Sequence, residues 1–316
     1  MSLSTPVAFF VYNRPDLTEA VFEAIARVKP KTLFVISDGP SKAEDQEKCA
    51  QCRAVIERVD WDCTVHKRYP DHNVGPRNNV PEGVQWVFSQ VEECIFLEDD
   101  CVADPSFFTF CESLLDHYRY DERVMHINGS NFLFNQVPIS DTYYFSRYMF
   151  TWGWASWKRA WKNYDLDLRS LAEFDEKNLF DFVFDDSDEQ AFWQQKFREV
   201  RSGELVSYSY PIFFGGLSQG GLSIMPSVNL VSNIGFRSDA VHTNTAYERM
   251  YLANIPRGSI KEICHPKYLV RNRDADKYLF KIYFGPNHAA HYVAPTGLRY
   301  YWVALKHKLG LLRDGA

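Results

Sequence analysis

Segments with two different spacings of apolar residues alternate over the first 130 positions, and this pattern constrains the fold more than any other feature of the sequence. Short, nearly continuous apolar runs at 7–12 and 33–36 are typical of strands that are covered on both faces. Similar runs follow at 63–66, 94–97 and 124–127, and between the runs apolar residues recur at helical spacing. We therefore predict an α/β fold, with a mostly parallel, Rossmann-like sheet flanked by helices.

The regular alternation ends near residue 131, where the sequence becomes rich in aromatic side chains. No low-complexity tract and no obvious linker separates the two parts, so we expect them to pack on one another. The sequence thus predicts an α/β half at 1–130, a second half at 131–245 and a C-terminal extension at 246–316.

Charge and cysteine content restrict the partners and the compartment. The chain has 35 Lys and Arg against 41 Asp and Glu, a formal net charge of −6, so we expect no nucleic-acid partner. Its seven cysteines are odd in number and scattered, which favours a reducing compartment. Cys49 and Cys52 have no second pair at zinc spacing and are expected in the core. The sequence has no signal peptide and no apolar run of about 18 to 20 residues, which predicts a cytoplasmic protein.

Polar segments follow the predicted strands, at the edge of the sheet where ligands of such folds gather. They are Asn13-Arg14, Asp38-Gly39, Asn73-Val74-Gly75-Pro76-Arg77, Glu98-Asp99-Asp100 and 128–131. The arginines can offer bidentate donors to a diphosphate, and the turn at Asn73-Val74-Gly75 lets backbone N–H groups approach an anion. Taken singly, each segment is more often an ordinary turn than a ligand site.

Three consecutive carboxylates follow the run at 94–97, and they give the strongest chemical signal in the sequence. Like charges at a strand end are costly unless a cation or hydrogen-bond donors neutralise them. Strand alternation places Glu98 and Asp100 on one face and Asp99 on the other. We predict Asp100 as a ligand of Mg²⁺ or Mn²⁺ shared with a diphosphate, Glu98 as a contact to nucleotide or sugar, and Asp99 as a donor-sugar or supporting carboxylate. The alternative is an acidic flank of the next helix, where Asp104 already lies.

Several motifs, taken in their order along the chain, have counterparts in a known family. They are residues 7–15, Ile36-Ser37-Asp38-Gly39, Asn73-Val74-Gly75-Pro76-Arg77-Asn78, Glu98-Asp99-Asp100 with Pro105-Ser106-Phe107-Phe108, and Trp152-Gly153-Trp154. In this order they resemble nucleotide-diphospho-sugar glycosyltransferases of the GT-A fold. The likeness extends over about residues 5–245 and is closest to bacterial proteins related to N-acetylglucosaminyltransferase I, some of them labelled haemolytic-protein-like. Glu98-Asp99-Asp100 then looks like the family's variant of the Asp-x-Asp motif.

This resemblance implies roles for individual residues. Asn13, Arg14 and Asp38 would hold the nucleotide, with Asp38 at the base. Arg77 would lie near the phosphates or the sugar, and Asp100 would bind Mn²⁺. The α/β half would then bind the nucleotide sugar, while the second half would face the acceptor.

A later block of the sequence, 221–235 followed by 239–243, also looks like this group. It makes His242 a candidate second protein ligand, because a neutral imidazole suits Mn²⁺ less well than a carboxylate but adequately. A surface histidine in a polar loop is the alternative.

One departure from the family pattern affects the predicted chemistry. Relatives usually carry a Trp-Asp pair shortly before the 221–235 block, and that aspartate looks like the general base for the acceptor hydroxyl. Here the stretch reads Tyr208-Ser209, and a serine hydroxyl has no useful basicity near neutral pH. Either transfer is impaired or another carboxylate supplies the base, with Asp186, Asp188, Glu189 and Glu204 as candidates. We take Asp99, Asp188 and Glu189 as the catalytic carboxylates.

Two further segments allow alternative interpretations. Trp152 and Trp154 are candidates for stacking on a sugar, with Gly153 leaving room for the ligand, although aromatic residues at such spacing are more often core. Residues 298–312 mix basic and aromatic side chains, as in an amphipathic helix on an anionic membrane, which would suit a lipid-linked acceptor at the inner face. A helix docked on the protein's own body is the commoner arrangement.

Taken together, the motifs predict a metal-dependent glycosyltransferase. It would move a sugar from a nucleotide diphosphate, in the first place UDP, to the hydroxyl of a glycan or lipid-linked acceptor, in polysaccharide or glycoconjugate assembly. The family resemblance implies that the transfer inverts the anomeric centre. Mn²⁺ or Mg²⁺ would stabilise the departing diphosphate. The alternatives are a nucleotide-sugar-binding protein that has lost transfer activity and a sugar nucleotidyltransferase. The latter ranks last, because the sequence lacks a Gly-rich basic phosphate loop near its start.

Overall fold

The computed structural model of the protein describes residues 2–236 and 252–285. Within these residues, eight strands form the main sheet and two short strands form a second sheet. The main sheet consists of β1 Val7–Val11, β2 Thr32–Ser37, β3 Thr64–Arg68, β4 Glu93–Glu98, β6 Val124–Asn128, β7 Tyr143–Ser146, β8 Trp154–Trp157 and β9 Leu222–Pro226, and the small sheet pairs β5 Cys101–Ala103 with β10 Val231–Asn233.

The strand order of the main sheet is β3-β2-β1-β4-β8-β6-β9-β7. The first four strands in this order are parallel, and β9 is parallel to β6. By contrast, β8 is antiparallel to both β4 and β6, and β7 is antiparallel to β9. The prediction of an α/β fold with a mostly parallel, Rossmann-like sheet is therefore confirmed. The sequence does not predict the position of β8. This strand comes from the aromatic-rich part of the chain, but it lies between β4 and β6, which both belong to the first 130 residues.

Helices connect the parallel strands and cover both faces of the sheet. They are α1 Pro15–Val28, α2 Asp45–Ile56, α3 Pro76–Phe88, α4 Pro105–His117, α5 Lys158–Trp161, α6 Leu171–Glu176, α7 Ser187–Ser202, α8 Ser209–Leu217 and α9 Arg273–Leu279, with a 3-10 turn at Leu179–Phe182 and a π-helical turn at Phe280–Phe284. A proline in the first turn starts α1, α3 and α4, where its fixed φ fits and no N–H is needed. Asp104 caps α4 by accepting the backbone N–H of Ser106 at 2.9 Å.

Alternate residues of β1 separate the core into two layers. Val7, Phe9 and Val11 pack with α1, α2 and α4, while Ala8 and Phe10 pack with α3 on the opposite face. This alternation follows from the period of two residues in a strand. The apolar face of α2 includes Cys49 and Cys52, both buried as the sequence predicts.

A third apolar cluster belongs to the aromatic-rich part of the chain. It joins the segment between β7 and β8 to α7, α8 and α9, with Tyr148, Trp193, Phe197 and Phe213 in contact. Burying an aromatic side chain of this size contributes about 2 to 3 kcal/mol. This core therefore combines residues of the predicted second half with residues of the predicted C-terminal extension.

Some predictions concern residues that the structure does not describe. His242 and the segment 298–312 both lie outside the described residues. Within residues 2–236 and 252–285, none of the helices is long and apolar enough to cross a membrane.

Candidate functional site

The carboxyl ends of β2, β1 and β4 bring three polar segments to one edge of the sheet. Val11 pairs with Ser37 across β1 and β2, and Phe10 pairs with Glu98 across β1 and β4. The segments that follow these strands therefore lie next to one another; they are Asn13-Arg14, Asp38-Gly39 and Asp99-Asp100. This is the edge at which parallel sheets bind ligands.

One arginine contacts two of the three consecutive carboxylates. The guanidinium of Arg14 donates from Nε to Asp99 Oδ2 at 3.4 Å and from Nη2 to Asp99 Oδ1. The same Nη2 lies 3.0 Å from Asp100 Oδ2. Burial raises the pKa of the Asp99 carboxyl, and the neighbouring Arg14 opposes this shift. The positive charge that the sequence requires beside these carboxylates is thus supplied by Arg14.

The predicted separation of Asp99 from Glu98 and Asp100 on opposite strand faces is wrong. The strand β4 ends at Glu98, and the next two residues form a turn before β5 begins at Cys101. Strand alternation therefore stops at Glu98, and Asp99 and Asp100 both reach the same guanidinium.

Glu98 has a partner that the sequence analysis missed. The phenolic hydroxyl of Tyr208, directly before α8, donates to Glu98 Oε1. Burial and the nearby Asp100 raise the pKa of Glu98, while the hydrogen bond from Tyr208 opposes the shift. Ser209, at the position where a base is expected, is hydrogen-bonded to Ser207 at 3.1 Å. The sequence analysis considered the Tyr208-Ser209 stretch for the serine alone and not for the tyrosine hydroxyl.

The chain that follows β10 crosses close to Asp100. The N–H of Ile234 donates to the backbone carbonyl of Asp100 at 2.8 Å, and a Cβ on Gly235 would lie 2.4 Å from Asp100 Oδ2. A larger residue at this position would therefore displace the Asp100 carboxylate. Among residues 2–236 and 252–285, Asp100 Oδ1 contacts Cys101 Sγ at 3.4 Å and Asn233 Nδ2 at 3.5 Å.

The backbone donors of the predicted anion-binding turn are directed at the protein's own carboxylate. The N–H groups of Gly39, Val74 and Gly75 each donate to Asp38 at 2.8 Å, the first two to Oδ1 and the third to Oδ2. Asn73 Nδ2 donates to the carbonyl of Gly39 at 2.9 Å. Asp38 therefore holds together the loop after β2 and the loop that begins α3.

Asn13 is likewise bound within the protein. Its side-chain amide donates to Asp45 Oδ1 at 2.9 Å, and Asp45 Oδ2 accepts from Ser41 at 2.7 Å and from Tyr12 at 3.2 Å. The hydrogen bonds from Ser41 and Asn13 lower the pKa of Asp45 to about 2. Sequence reasoning missed Asp45 because it lies in the first turn of α2 and not directly after a strand.

Arg77 and the Trp-Gly-Trp motif have other partners within the protein. Arg77 forms an ion pair with Asp167 at 3.2 Å, and about a third of its side chain is exposed. Gly153 has a φ of 62°, and a Cβ there would lie 2.7 Å from Val231, so a valine fills the space that was predicted for a ligand.

The two tryptophans of this motif have aromatic neighbours. Trp152 is half-buried against Phe132 and Phe236. Trp154 is buried in β8 and stacks on Phe96, with 4.2 Å between the ring centroids.

The proposed carboxylates of α7 are part of a different cluster. Asp186 caps this helix by accepting the N–H groups of Asp188 and Glu189. Glu189 is buried, accepts the hydroxyl of Tyr148 and lies 3.8 Å from Arg147. Asp188 is exposed in the first turn. In the described part of the chain, no hydrogen bond or ion pair joins either residue to positions 98–100.

The described residues at this edge offer a metal ion few protein ligands. Among residues 2–236 and 252–285, no group of three or more His, Cys, Asp or Glu side chains is arranged to hold a metal ion. Asp100 does, however, have a cation in contact with one carboxylate oxygen, the guanidinium of Arg14. A carboxylate at this edge fits Mg²⁺ or Mn²⁺, since such ions complete their coordination with phosphate oxygens and water.

Comparisons with known proteins give no family assignment. No family model matches the sequence, and no curated protein matches it. A crystal structure of UDP-glucose pyrophosphorylase complexed with UDP-glucose is similar at 10% identity and a TM-score of 0.30, over 51% of this chain and 78% of that chain. The structure of 4-diphosphocytidyl-2C-methyl-D-erythritol synthase from Anaerococcus prevotii is similar at 8% identity and a TM-score of 0.35, over 79% of this chain and 97% of that chain. At these values the similarities carry no conclusion about activity.

Proposed function

We propose that the protein is a metal-dependent glycosyltransferase of the GT-A type that uses a nucleotide-diphospho-sugar, with UDP as the nucleotide. One observation carries the proposal: Arg14 and the carboxylates Asp99 and Asp100 converge at the carboxyl ends of the adjacent strands β1 and β4. A diphosphate with its metal ion needs both an anionic ligand for the metal and a fixed cation for the phosphates. This edge of the sheet offers both.

The proposed roles at the donor site follow from these positions. Asp100 would hold Mn²⁺ or Mg²⁺ together with phosphate oxygens, and His242 is proposed as a second ligand. The ion supplies a Lewis acid for the departing diphosphate. Arg14 and Arg77 would donate to the phosphate oxygens, because guanidinium groups bind them bidentately. Glu98, fixed by Tyr208, would accept a hydroxyl of the sugar.

The loops around Asp38 would bind the nucleoside. By holding the backbone of Gly39, Val74 and Gly75, Asp38 shapes the surface beside β2. Asn73 and Asn13 are fixed in the same region by their own hydrogen bonds. The proposed contacts of the base and ribose are therefore made by preorganised loops. Trp152 is proposed on the sugar side.

An inverting transfer also requires a base for the acceptor hydroxyl. Ser209 lacks the basicity, so we propose that a carboxylate has this role. Of the three carboxylates proposed, Asp99 lies at the strand ends, whereas Asp188 and Glu189 lie at the start of α7. A glycan or lipid-linked acceptor is proposed on the side of the second half, with membrane contact through 298–312. Ser209 also favours a second candidate function, a nucleotide-sugar-binding protein without transfer activity.

Calorimetric titration with UDP and GDP, with and without Mn²⁺, tests the donor site. We expect Mn²⁺-dependent binding of UDP, and we expect Asp100→Asn to weaken it at least tenfold, about 1.4 kcal/mol or more. Asp116→Asn, which changes an exposed aspartate of α4, is the matched control and should bind as the unaltered protein does. If neither nucleotide binds under any metal condition, the glycosyltransferase assignment is wrong.

A second assay separates transfer from inert binding. Incubation with UDP-sugars and measurement of released UDP detects transfer to water or to an added acceptor. Release by the unaltered protein contradicts the inert-binding alternative. If only Ser209→Asp releases UDP, the loss of the base is the correct explanation. Pyrophosphate released from UTP and a sugar 1-phosphate would instead identify a nucleotidyltransferase.

A further inference from the structure

Arg14 occupies a fixed position between β1 and α1. It is the residue before Pro15 and the N-cap of α1, with a φ of −119° and a ψ of 76°. The proline that follows disfavours a helical backbone at Arg14, so the helix begins after this residue. The guanidinium of Arg14 contacts Asp99 and Asp100.

The two ion pairs of this guanidinium are unequal. Asp99 is 4% exposed and accepts from both Nε and Nη2, in a forked arrangement. The Asp100 side chain is 16% exposed and receives only Nη2, at 3.0 Å. A forked pair with a buried carboxylate is the stronger of the two. Arg14 is therefore anchored on Asp99, and its contact with Asp100 can be broken while the anchor remains.

Within the part of the chain that the structure describes, the carboxylate of Asp100 has few other partners. Its Oδ1 contacts Cys101 Sγ and Asn233 Nδ2, and its Oδ2 faces the guanidinium. A divalent ion on this carboxylate would lie within a few ångströms of Arg14. Two cations at that separation repel each other strongly.

We propose that Arg14 is a resident cation on Asp100 that competes with the divalent metal and is turned to the diphosphate when metal and nucleotide bind together. The inference rests on the proposed role of Asp100 as a metal ligand. It has a thermodynamic consequence: the metal alone binds weakly, while metal and nucleotide strengthen each other's binding, because the diphosphate accepts both cations. Arg14 thus weakens the binding of the metal alone and strengthens the binding of the nucleotide diphosphate.

Titration of Mn²⁺ in the absence of nucleotide, followed by the electron paramagnetic resonance signal of the free ion, measures the competition directly. We expect Arg14→Gln to bind Mn²⁺ about tenfold more tightly than the unaltered protein, since a unit positive charge beside the site is removed. In the presence of Mn²⁺ the same variant should bind UDP at least about tenfold more weakly. Arg198→Gln breaks a forked ion pair with Asp175 elsewhere on the surface and should leave both affinities unchanged.

A double variant separates competition from a simple change of charge and guards against misfolding. Arg14→Gln alone leaves Asp99 buried without its partner, whereas Arg14→Gln with Asp99→Asn replaces the ion pair by two amides and keeps the local net charge. We expect the double variant to bind Mn²⁺ at least about threefold more tightly than the unaltered protein, because Asp100 is no longer occupied. Unchanged or weaker Mn²⁺ binding in this variant overturns the inference.

The outcomes also separate this inference from the proposed function. Tighter Mn²⁺ binding by the two variants, with no nucleotide bound by the unaltered protein, supports the competition and refutes the proposed function. If UDP binding depends on Mn²⁺ but the unaltered protein and both variants bind Mn²⁺ equally well, the proposed function is supported and the competition is refuted. If Mn²⁺ binds to none of them, the competition is refuted.

Discussion

The three hydrogen bonds of Asp38 predict a large effect of a nearly isosteric substitution. In Asp38→Asn an NH₂ group replaces one carboxylate oxygen. If the amide oxygen keeps the contacts of Oδ1 with Gly39 and Val74, the NH₂ group faces the N–H of Gly75. The reverse orientation of the amide would lose the two hydrogen bonds from Gly39 and Val74, so we expect the orientation that loses only the bond from Gly75.

The magnitude follows from these contacts. The unsatisfied N–H of Gly75 costs about 1 kcal/mol, near the lower limit for a buried donor because this residue is half-buried and water can reach it. Each of the two remaining bonds loses its charge assistance, about 1 kcal/mol each. We therefore expect Asp38→Asn to lower the free energy of unfolding by about 3 kcal/mol.

Urea denaturation at pH 7 measures this loss, with Asp71→Asn as the matched control. Asp71 is exposed in the same loop, and its substitution should change the free energy of unfolding by less than about 0.5 kcal/mol. A loss below about 1 kcal/mol for Asp38→Asn would refute the argument that Asp38 holds the loops. A change in the preference for UDP over GDP without loss of stability would instead show that Asp38 contacts the base directly.

Three further predictions concern buried groups near the site and in the core. Burial lowers the pKa of His126 from 6.5 to about 4, so its stabilising contribution is present above pH 6.5 and is lost as the pH falls through 4. The loss in the free energy of unfolding is about 3 kcal/mol. Urea denaturation at pH 7 and pH 4 should show this loss in the unaltered protein but not in His126→Gln. Tyr208→Phe removes the donor to the β4 carboxylate and should cost about 2 kcal/mol by the same method, against less than about 1 kcal/mol for Tyr164→Phe, whose hydroxyl makes one bond of 3.4 Å. Gly153→Ala should cost about 3 kcal/mol, because it adds a steric clash to a left-handed backbone, whereas Gly203→Ala, with a φ of 84° and open space, should cost about 1 kcal/mol; equal losses would contradict the clash.

The sequence predicts the parallel part of the sheet because each of its elements has a local signal. The runs of β1 and β2 are apolar on both faces, and α4 begins with Asp104-Pro105, so residues close in sequence suffice to identify them. The strand β8 has no such signal. Its four residues lie in an aromatic-rich segment, and they form a strand only through pairing with β4 and β6 on either side. Non-local pairing of this kind is not encoded in a short window.

The candidate site was predictable in position but not in its internal contacts. The residues after β1, β2 and β4 meet because parallel strands end at the same edge. The partner of Asp38 at Gly75 is 37 positions away, and the partner of Glu98 at Tyr208 is 110 positions away. Such contacts depend on how loops fold back over the sheet, which the spacing of residues does not determine.

The insertion of β8 between β4 and β6 has a consequence for the order in which the protein folds. Until residues 154–157 have been synthesised, β4 has no neighbour on that side, and its N–H and C=O groups are available to other chains. A nascent chain that ends before β8 therefore presents an apolar strand with an open edge, and we expect it to depend on chaperones or to aggregate. The two antiparallel pairings of β8 then join the two parts of the sheet and close this edge.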